Sequence, residues 1–270
     1  MIQKIAFIGA GSMAEAIIEG MVNKKVVKSE YIYVANKENE ARLEELKAKY
    51  NIVGNTNKEE VIQDSDVVIF ATKPYDMENA ILDTREFIQP HHLVISVVAG
   101  ISTDFITDRL GKEVAVIRSM PNTSAAVGYS ATAITKGKYA TDAHLLIAER
   151  LFKAIGTVSV VDEDKMHIVT GISGSGPAYV YYLVEAMEKA AHEEGLDENT
   201  TKQLITQTII GAGEMLKQAK DPVNVLRENV TSPNGTTAAG IQTLSEYQFQ
   251  EAVVNCVKNA TKRSVELGED

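Results

Sequence analysis

Two glycines near the start of the chain have the spacing of a turn that binds a dinucleotide. A short apolar run, Ile5–Ile8, leads into Gly9, Gly11 and Ala14, and a helical pattern follows. In such a strand–turn–helix unit, Gly9 permits the tight turn, Gly11 lets the backbone approach a pyrophosphate, and Ala14 lets helix and strand pack closely. The N-terminus of the helix then offers N–H groups and a positive dipole end to the phosphates. The sequence therefore predicts a dinucleotide site at this turn.

An ordinary strand–helix turn and a signal peptide are the alternatives for this segment. Glycines alone are weak evidence against an ordinary turn. A signal peptide needs a longer apolar run than the one after Lys4, which glycines interrupt and which Glu15 and Glu19 follow. The strand pattern before the turn and the helix pattern after it favour the dinucleotide site.

The residues at the end of the second predicted strand help to distinguish NADH from NADPH as the cofactor. NAD-binding folds usually place Asp or Glu there, on the ribose 2′-hydroxyl. Here the strand ends at Ala35, and Asn36 and Lys37 follow. Asn36 can hydrogen-bond a 2′-phosphate and Lys37 can neutralise it, although Glu38 and Glu40 make the patch less positive. The sequence favours NADPH, with NADH possible.

Two further turns follow predicted strand ends, at Ala71–Pro74 and Val98–Gly100. Both use small residues where a backbone must approach a flat ring or a ribose, and plain loops are the alternative. Ligands of such sheets bind outside the carboxyl ends of the strands. The candidate cofactor-binding residues are therefore Gly9, Ala10, Gly11, Ser12, Met13, Asn36, Lys37, Asn57, Ala71, Thr72, Lys73, Pro74, Ala99 and Gly100.

The elements that must position these turns alternate between strand and helix. The strand patterns are short runs rich in Val and Ile, as expected for a parallel sheet with helices on both faces. They cover Lys4–Gly9, Tyr31–Ala35, Asp66–Phe70, Leu93–Val97, Val114–Ser119, Ala131–Thr135 and Thr157–Val161, with helical patterns over Glu38–Lys49, Asp76–Phe87, Thr103–Leu110 and Asp142–Ile155. The alternation predicts an α/β fold with a Rossmann-type doubly wound sheet.

After about Val161 only helical patterns remain. They cover Pro177–Glu194, Asn199–Ala219, Val223–Asn229, Thr236–Ser245 and Gln248–Leu267. We therefore predict a dinucleotide-binding domain over residues 1–161 and an all-helical C-terminal domain for substrate binding and dimerisation over residues 162–270. A small, apolar patch at Thr208–Gly213 permits close helix packing, which supports a dimer interface.

Composition argues against several classes of function. The chain has 27 basic and 37 acidic side chains, and an acidic protein without a basic stripe is a poor nucleic-acid binder. No apolar run is long enough to span a bilayer. The one cysteine, Cys256, permits no internal disulfide, and no Cys/His cluster has the spacing of a zinc site. We expect a cytoplasmic protein without a metal, a membrane or a nucleic-acid partner.

Several segments together resemble one family, the pyrroline-5-carboxylate reductases of proline biosynthesis. They are Ile8–Ala14, Ala71–Pro74, Val98–Gly100, Met120–Thr123, Gly171–Tyr179 and Val230–Gly240. They span nearly the whole chain in the family's order, and the last two are the most specific. The resemblance implies reduction of the cyclic imine 1-pyrroline-5-carboxylate to L-proline with NADPH or NADH. It also implies a helical domain that intertwines with its partner in a homodimer, and in some members a ring of dimers.

The resemblance also implies which residues lie near the substrate. They are Glu163, Ser175, Asn229, Gly235, Thr236 and Thr237, with Thr237 as the catalytic residue that hydrogen-bonds the ring nitrogen. Asn234 departs from the family, which usually has Gly there, but Asn tolerates a left-handed backbone. Taken alone, Glu163 is more often a helix-start carboxylate that favours the helix dipole.

The residues around Thr237 are consistent with this chemistry. Ser232–Thr237 predicts a turn leading into a helix, in which Thr236 and Thr237 cap the helix and free N–H groups bind a carboxylate. Ser173–Pro177 predicts a second turn into a helix, which can close over the same pocket. A capped helix start without a ligand is the alternative for both segments.

No strong general acid accompanies these turns. The five histidines suit solvated or structural positions better than catalytic ones. A ketone reductase needs a donor to protonate the developing alkoxide, whereas a cyclic imine can arrive already protonated. The sequence therefore favours an imine as the hydride acceptor.

Two other functions stay open at the level of sequence. A β-hydroxyacid dehydrogenase shares the two-domain plan, but that family places a catalytic Lys on the first helix of the C-terminal domain, and Pro177–Glu188 contains none. A non-catalytic NADPH sensor would bind the cofactor without consuming it. A sensor needs no second anion pocket, so the Ser/Thr-Gly turns argue against it.

Overall fold

Eight strands form one sheet in the computed structural model, which describes residues 4–36 and 39–269. The strand order is β3-β2-β1-β4-β5-β6-β7-β8. The strands are β1 (Ile5–Ile8), β2 (Ile32–Ala35), β3 (Val53–Asn55), β4 (Val67–Phe70), β5 (Leu93–Ser96), β6 (Ala115–Met120), β7 (Ser130–Lys136) and β8 (Gly156–Val160). Neighbouring strands run parallel except β6 and β7, which are antiparallel. The predicted α/β class is confirmed.

Strand β1 lies where the strand order reverses. It pairs with β2 on one side and with β4 on the other. In open sheets of this kind, the crevice that binds ligands lies outside the carboxyl ends of the strands at such a reversal. The turn after β1 therefore lies where the fold places a ligand.

Side chains of the central strands alternate between two buried layers. Ile5 and Phe7 belong to one hydrophobic core, and Ala6 and Ile8 belong to the other. Six helices accompany the sheet: α1 (Ser12–Asn23), α2 (Glu40–Tyr50), α3 (Lys58–Ile62), α4 (Met77–Leu82), α5 (Thr103–Leu110) and α6 (Asp142–Phe152). Because both faces of β1, β4 and β5 are buried, these strands are continuous apolar runs rather than alternating ones.

The rest of the chain is helical. Its helices are α7 (Met166–Val169), α8 (Gly176–Glu193), α9 (Glu198–Gln218), α10 (Val223–Asn229), α11 (Thr236–Glu246) and α12 (Phe249–Glu269). The chain divides into two compact units, of which the second is Ala178–Val257 and the first holds the residues before and after it. This grouping joins residues 162–177 to the sheet, whereas the domain boundary after residue 161 stays a prediction. None of the helices in the described ranges has the length and apolar character that a membrane crossing requires.

The sequence patterns missed or misjudged three elements. Strand β3 was not predicted, because Val53-Gly54-Asn55 is short and contains two poor strand formers. Helix α3 was not predicted either, because its five residues are too few to show a helical period. The helix predicted over Asp76–Phe87 ends at Leu82. There the Thr84 hydroxyl donates to the carbonyls of Ala80 and Ile81, which offers the backbone an alternative to further helix.

His92 is a structural histidine at the start of β5. Its side chain is buried, and Nδ1 accepts a hydrogen bond from the Gln89 N–H at 2.7 Å. Nε2 has no hydrogen-bond partner within the described chain. Burial, followed by the neighbouring His91, lowers the pKa of His92 to about 4. The imidazole is therefore neutral in the folded protein at pH 7.

We expect His92 to weaken the fold in mild acid. Between its unfolded pKa of about 6.5 and its folded pKa of about 4, the unfolded chain binds a proton that the native state excludes, so stability falls as the pH falls. The loss from this group between pH 7 and pH 5 is about 2 kcal/mol. Urea unfolding at both pH values should show His92→Asn losing that much less than wild type, while the exposed control His91→Asn keeps most of the loss. Equal losses in wild type and His92→Asn would contradict the assignment.

Candidate functional site

The two glycines of the turn after β1 differ in what the fold requires of them. Gly9 has φ +110°, and a Cβ built there would lie 2.5 Å from the Ala71 carbonyl oxygen. The Gly9 N–H donates to the Ala35 carbonyl at 2.9 Å, which ties the turn to β2. Gly11 has an ordinary φ of −73°, and a Cβ there would meet nothing within 4 Å. Gly9 is thus required by the fold, whereas Gly11 leaves open space in front of the helix.

Helix α1 begins without a side-chain cap. Its N-cap is Gly11, which makes no capping hydrogen bond, and Gly11 and Ser12 are exposed. Ala14 is fully buried, as expected for the residue that lets helix and strand pack closely. The first N–H groups of a helix have no partner inside the helix, so this end can bind an anion. The residues present fit the pyrophosphate of a dinucleotide.

The predicted cofactor residues at the next two strand ends differ in how free their side chains are. Asn36 follows β2 and is half-buried, and Lys37 lies outside the described residues. Asn57 caps α3: its Oδ1 accepts from the Glu59 N–H at 3.0 Å, and its Nδ2 donates to Glu60 at 2.9 Å. The Asn57 side chain thus serves local structure, and its contact with a cofactor stays a prediction.

The turns after β4 and β5 lie at the same edge of the sheet as Gly9. Ala71 directly follows β4 and donates its N–H to the Ile8 carbonyl at 2.9 Å, which brings the β1 and β4 ends together. Thr72, Lys73 and Pro74 continue this turn. After β5, Ala99 is half-buried and precedes Gly100.

Gly100 is needed for packing as well as for the turn. It has φ +85°, and a Cβ there would lie 3.1 Å from the Leu267 backbone and side chain near the end of α12. Only glycine combines this φ with so close an approach. Sequence reasoning assigned Gly100 to the cofactor without foreseeing this contact, because nothing local in the sequence links residues so far apart.

Glu163 is engaged by two residues of the first unit. Its carboxylate accepts from the Thr103 N–H at 2.7 Å and from the Thr103 hydroxyl, at the first turn of α5. The same carboxylate lies 3.4 Å from Nη1 of Arg118, a residue of β6 that is 2% exposed. Burial lowers the pKa of Arg118, and Glu163 opposes this shift. The observed contacts make Glu163 a structural partner of α5 and β6, and its contact with substrate stays a prediction.

The sequence predicts a turn over Ser173–Pro177, but the structure has helical backbone before Ser175. Thr170–Gly174 is one turn of π-helix that joins α7 to α8, and the Ser175 N–H donates to the Thr170 carbonyl at 2.8 Å. The predicted turn is therefore wrong. Single turns of π-helix are rare in proteins overall, but those that occur are often found at functional sites.

Residues at the end of β6 and just after it contact this π-helical turn, and sequence reasoning gave them no role. A Cβ on Gly174 would lie 2.7 Å from Cε of Met120, so the backbone packs directly on that side chain. The Asn122 side-chain amide donates to the Ser173 carbonyl at 3.0 Å. Their segment, Met120–Thr123, carried part of the family resemblance, and this was the signal that could have found them.

In the second unit, α11 also begins at a glycine without a side-chain cap. Gly235 is the N-cap, and Thr236 and Thr237 are the first two helical residues, both exposed. The prediction that these threonines cap the helix is wrong, because the cap position falls one residue earlier. Neither hydroxyl makes a hydrogen bond within the described residues.

The turn before α11 has the backbone that the sequence suggested. Asn234 has φ +59°, in the left-handed region that Asn tolerates. The Gly235 N–H donates to the Ser232 carbonyl at 3.0 Å, and a Cβ on Gly235 would collide with the Ser232 hydroxyl. Asn229 ends α10 and is exposed. The first N–H groups of α11 thus have no side-chain cap, and this end of the helix can bind an anion.

Among the described residues, no group of three or more His, Cys, Asp or Glu side chains could hold a metal ion. The groups that the structure presents for ligands are the N-termini of α1 and α11 and the exposed hydroxyls of Thr236 and Thr237.

Residues 163–267 match the family model for pyrroline-5-carboxylate reductase dimerisation, and residues 4–100 match that for coenzyme F420-dependent NADP oxidoreductases. The chain is 47% identical over 268 residues to pyrroline-5-carboxylate reductase 1 of Bacillus subtilis, covering 99% of this chain and 90% of that one. The chain belongs to the pyrroline-5-carboxylate reductase family. The resemblance stated from the sequence is confirmed.

Two solved structures of the family have the same fold. A pyrroline-5-carboxylate reductase from Coxiella burnetii superposes with a TM-score of 0.90 at 31% identity, covering 99% of both chains. The enzyme from Plasmodium falciparum, solved with NADP bound, gives 0.91 at 28% identity, covering 99% of this chain and 100% of that one. These likenesses extend over both the sheet and the helices that follow it.

The two glycines of the β1 turn should respond differently to alanine. Gly9→Ala should lower the free energy of unfolding by about 1–3 kcal/mol, because φ is positive and the Ala71 carbonyl leaves no room. Gly11→Ala should cost less than about 1 kcal/mol, since its φ is ordinary and the space is open. Gly11→Ala should nevertheless weaken NADPH binding at least roughly tenfold, because the methyl group occupies space needed by the pyrophosphate. Urea unfolding and fluorescence titration measure the two effects. Wild-type NADPH affinity in Gly11→Ala would remove this turn from the cofactor site.

Proposed function

We propose that this protein reduces 1-pyrroline-5-carboxylate to L-proline, the last step of proline biosynthesis, with NADPH as the preferred cofactor and NADH possible. Family membership supports the reaction. The observation that carries the proposal is the pair of uncapped, glycine-started helices, α1 and α11. One suits a pyrophosphate, and the other suits a substrate carboxylate.

The residues of the first unit would bind and orient the cofactor. NADPH, when bound, supplies the hydride. The N–H groups of Gly11, Ser12 and Met13 would hold the pyrophosphate, and Asn36 with Lys37 would hold the 2′-phosphate. The small residues after β4 and β5 would lie along the ribose and the nicotinamide ring.

The residues of the second unit would bind and orient the imine. The free N–H groups of the first turn of α11, at Thr236 and Thr237, would donate hydrogen bonds to the substrate carboxylate. The Thr237 hydroxyl oxygen would accept a hydrogen bond from the protonated ring nitrogen. Hydride adds to the carbon of the C=N bond, the π electrons move to nitrogen, and the positive charge disappears. No general acid is required, so positioning accounts for most of the barrier reduction. Ser175, Asn229 and Glu163 are the other predicted substrate residues.

The competing functions have less support. A β-hydroxyacid dehydrogenase would need a lysine early on α8, but Lys189 lies near the end of that helix and faces Glu193 at 3.9 Å. A non-catalytic sensor gives no account of the exposed Thr236 and Thr237 at a second anion site. Family membership favours neither.

The second unit is the proposed dimerisation surface of a homodimer or a ring of dimers. Many of its large apolar side chains are exposed, among them Leu183, Leu204, Ile210 and Leu216. Exposed apolar surface on this scale is typical of a protein interface. A single cysteine and the biosynthetic role support a cytoplasmic location.

We expect Thr237→Ala to lower kcat roughly 10–100-fold, the loss for one hydrogen bond to a charged group. The dissociation constant for NADPH should stay within twofold of wild type, because Thr237 is not a cofactor residue. Oxidation of NADPH with racemic pyrroline-5-carboxylate and fluorescence titration give the two values. Thr243→Ala is the matched control, since that hydroxyl donates to its own helix at Ala239 and should leave kcat unchanged. An unchanged kcat in Thr237→Ala would remove Thr237 from the mechanism.

Size-exclusion chromatography with light scattering should give a mass of at least two chains. A monomer would leave the apolar side chains of the second unit in water. Replacing Leu204 and Ile210 together by Glu should shift the mass towards one chain, whereas a pair of charge changes at Lys24 and Lys25, in the first unit, should not. A wild-type monomer at micromolar concentration would rule out the dimer.

A further inference from the structure

Arg42 joins helix α2 directly to the glycine turn. Its Nε donates a hydrogen bond to the carbonyl oxygen of Ala10 at 3.0 Å. Arg42 lies in the first turn of α2, where its own N–H donates to the capping side chain of Asn39 at 2.9 Å. The Arg42 side chain is only 19% exposed. Arg42 is therefore a partly buried side chain that connects helix α2 to the turn after β1, two segments that are far apart in sequence.

Acidic side chains hold the guanidinium in this orientation. Nη2 donates to Glu15 in the first turn of α1, and Nη1 lies 2.7 Å from Glu45. Lys49 also bonds Glu15, at 2.9 Å. Hydrogen bonds from Arg42 and then Lys49 lower the pKa of Glu15 to about 2, so this carboxylate stays ionised at neutral pH. Glu15 and Glu45 thus offset the charge of the Arg42 guanidinium. We therefore expect its N–H groups to act on the glycine turn mainly by the directions in which they donate hydrogen bonds.

The Ala10 carbonyl and the Gly11 N–H belong to one peptide group. No cis peptide occurs in the described ranges, and in a trans peptide the C=O and N–H point in opposite directions. Holding the Ala10 carbonyl towards Arg42 therefore directs the Gly11 N–H away from α2. Gly11 is exposed, and the structure leaves space around it for a ligand.

We propose that Arg42 is a positioning residue for the cofactor: by holding the Ala10 carbonyl, it orients the Gly11 N–H for the pyrophosphate. This inference rests on the proposed dinucleotide site at the β1 turn. Without Arg42 the peptide can rotate, so the turn must be ordered when the cofactor binds. The cost falls on cofactor affinity and not on the chemistry of the bound complex.

The test compares Arg42→Ala and Arg42→Lys with wild type by fluorescence titration of the purified protein with NADPH. Both variants should raise the dissociation constant and the KM for NADPH about tenfold or more, with kcat and the KM for the imine within twofold. Lys keeps the charge, but one ammonium group cannot reproduce the fork that reaches Ala10, Glu15 and Glu45 together. The matched control is Arg109→Ala, which removes an exposed pair with Glu78 and should leave NADPH binding unchanged.

A cofactor fragment separates orientation of the turn from general damage. Adenosine 2′-monophosphate has no pyrophosphate, so its affinity, measured by displacement of NADPH, should be unchanged in both variants. An equal loss for the fragment and NADPH would overturn the inference, as would wild-type NADPH affinity in Arg42→Lys. If Arg42→Ala does not fold, Arg42→Lys alone decides.

The Gly11→Ala variant separates failure of this inference from failure of the proposed cofactor site. If the Arg42 variants and Gly11→Ala all keep wild-type NADPH affinity, the proposed cofactor site fails. If Gly11→Ala weakens NADPH binding while the Arg42 variants do not, only the role of Arg42 fails.

Discussion

The close approach of the β1 and β4 turns is the constraint on which the cofactor side of this protein depends. The Ala71 carbonyl lies where a side chain on Gly9 would be, and the Ala71 N–H bonds the Ile8 carbonyl. The contact lies at the end of β1, where the strand order reverses, and α1 starts soon after it. A residue larger than glycine would separate the two turns and move the helix N-terminus that a phosphate needs.

The two candidate anion sites share one structural feature, a glycine at the N-cap position of a helix. Helices α1 and α11 each begin at a glycine that makes no side-chain cap. By contrast, the N-cap residues of α2, α5 and α9 are Asn39, Ser102 and Asp197, and the side chain of each accepts a hydrogen bond from an N–H of its own helix. A side-chain cap uses the N–H groups that a ligand would otherwise bind. Glycine at the cap leaves these donors to the ligand.

Buried polar contacts support the remaining parts of the site in the first unit. Arg118 is almost fully buried on β6, and Glu163 is its charged partner while also bonding the start of α5. Met120 and Asn122, which end and follow the same strand, contact the π-turn before Ser175. A buried charge without its partner is costly, so this strand, the α5 start and the segment after β8 are held in one arrangement.

The amino-acid sequence by itself determined the fold class, the glycine turn between β1 and α1, and the family. These follow from local patterns: the apolar runs of the strands, the spacing of Gly9 and Gly11, and the specific segment that ends in Thr237. Tertiary structure decided what depends on residues far apart in the chain. Three such contacts define structural roles that the sequence did not show. Gly100 packs against Leu267, Glu163 pairs with Arg118, and Arg42 donates a hydrogen bond to the Ala10 carbonyl. Periodicity and spacing report only on neighbours along the chain, whereas these roles arise from side chains and carbonyls that meet only after the sheet has formed.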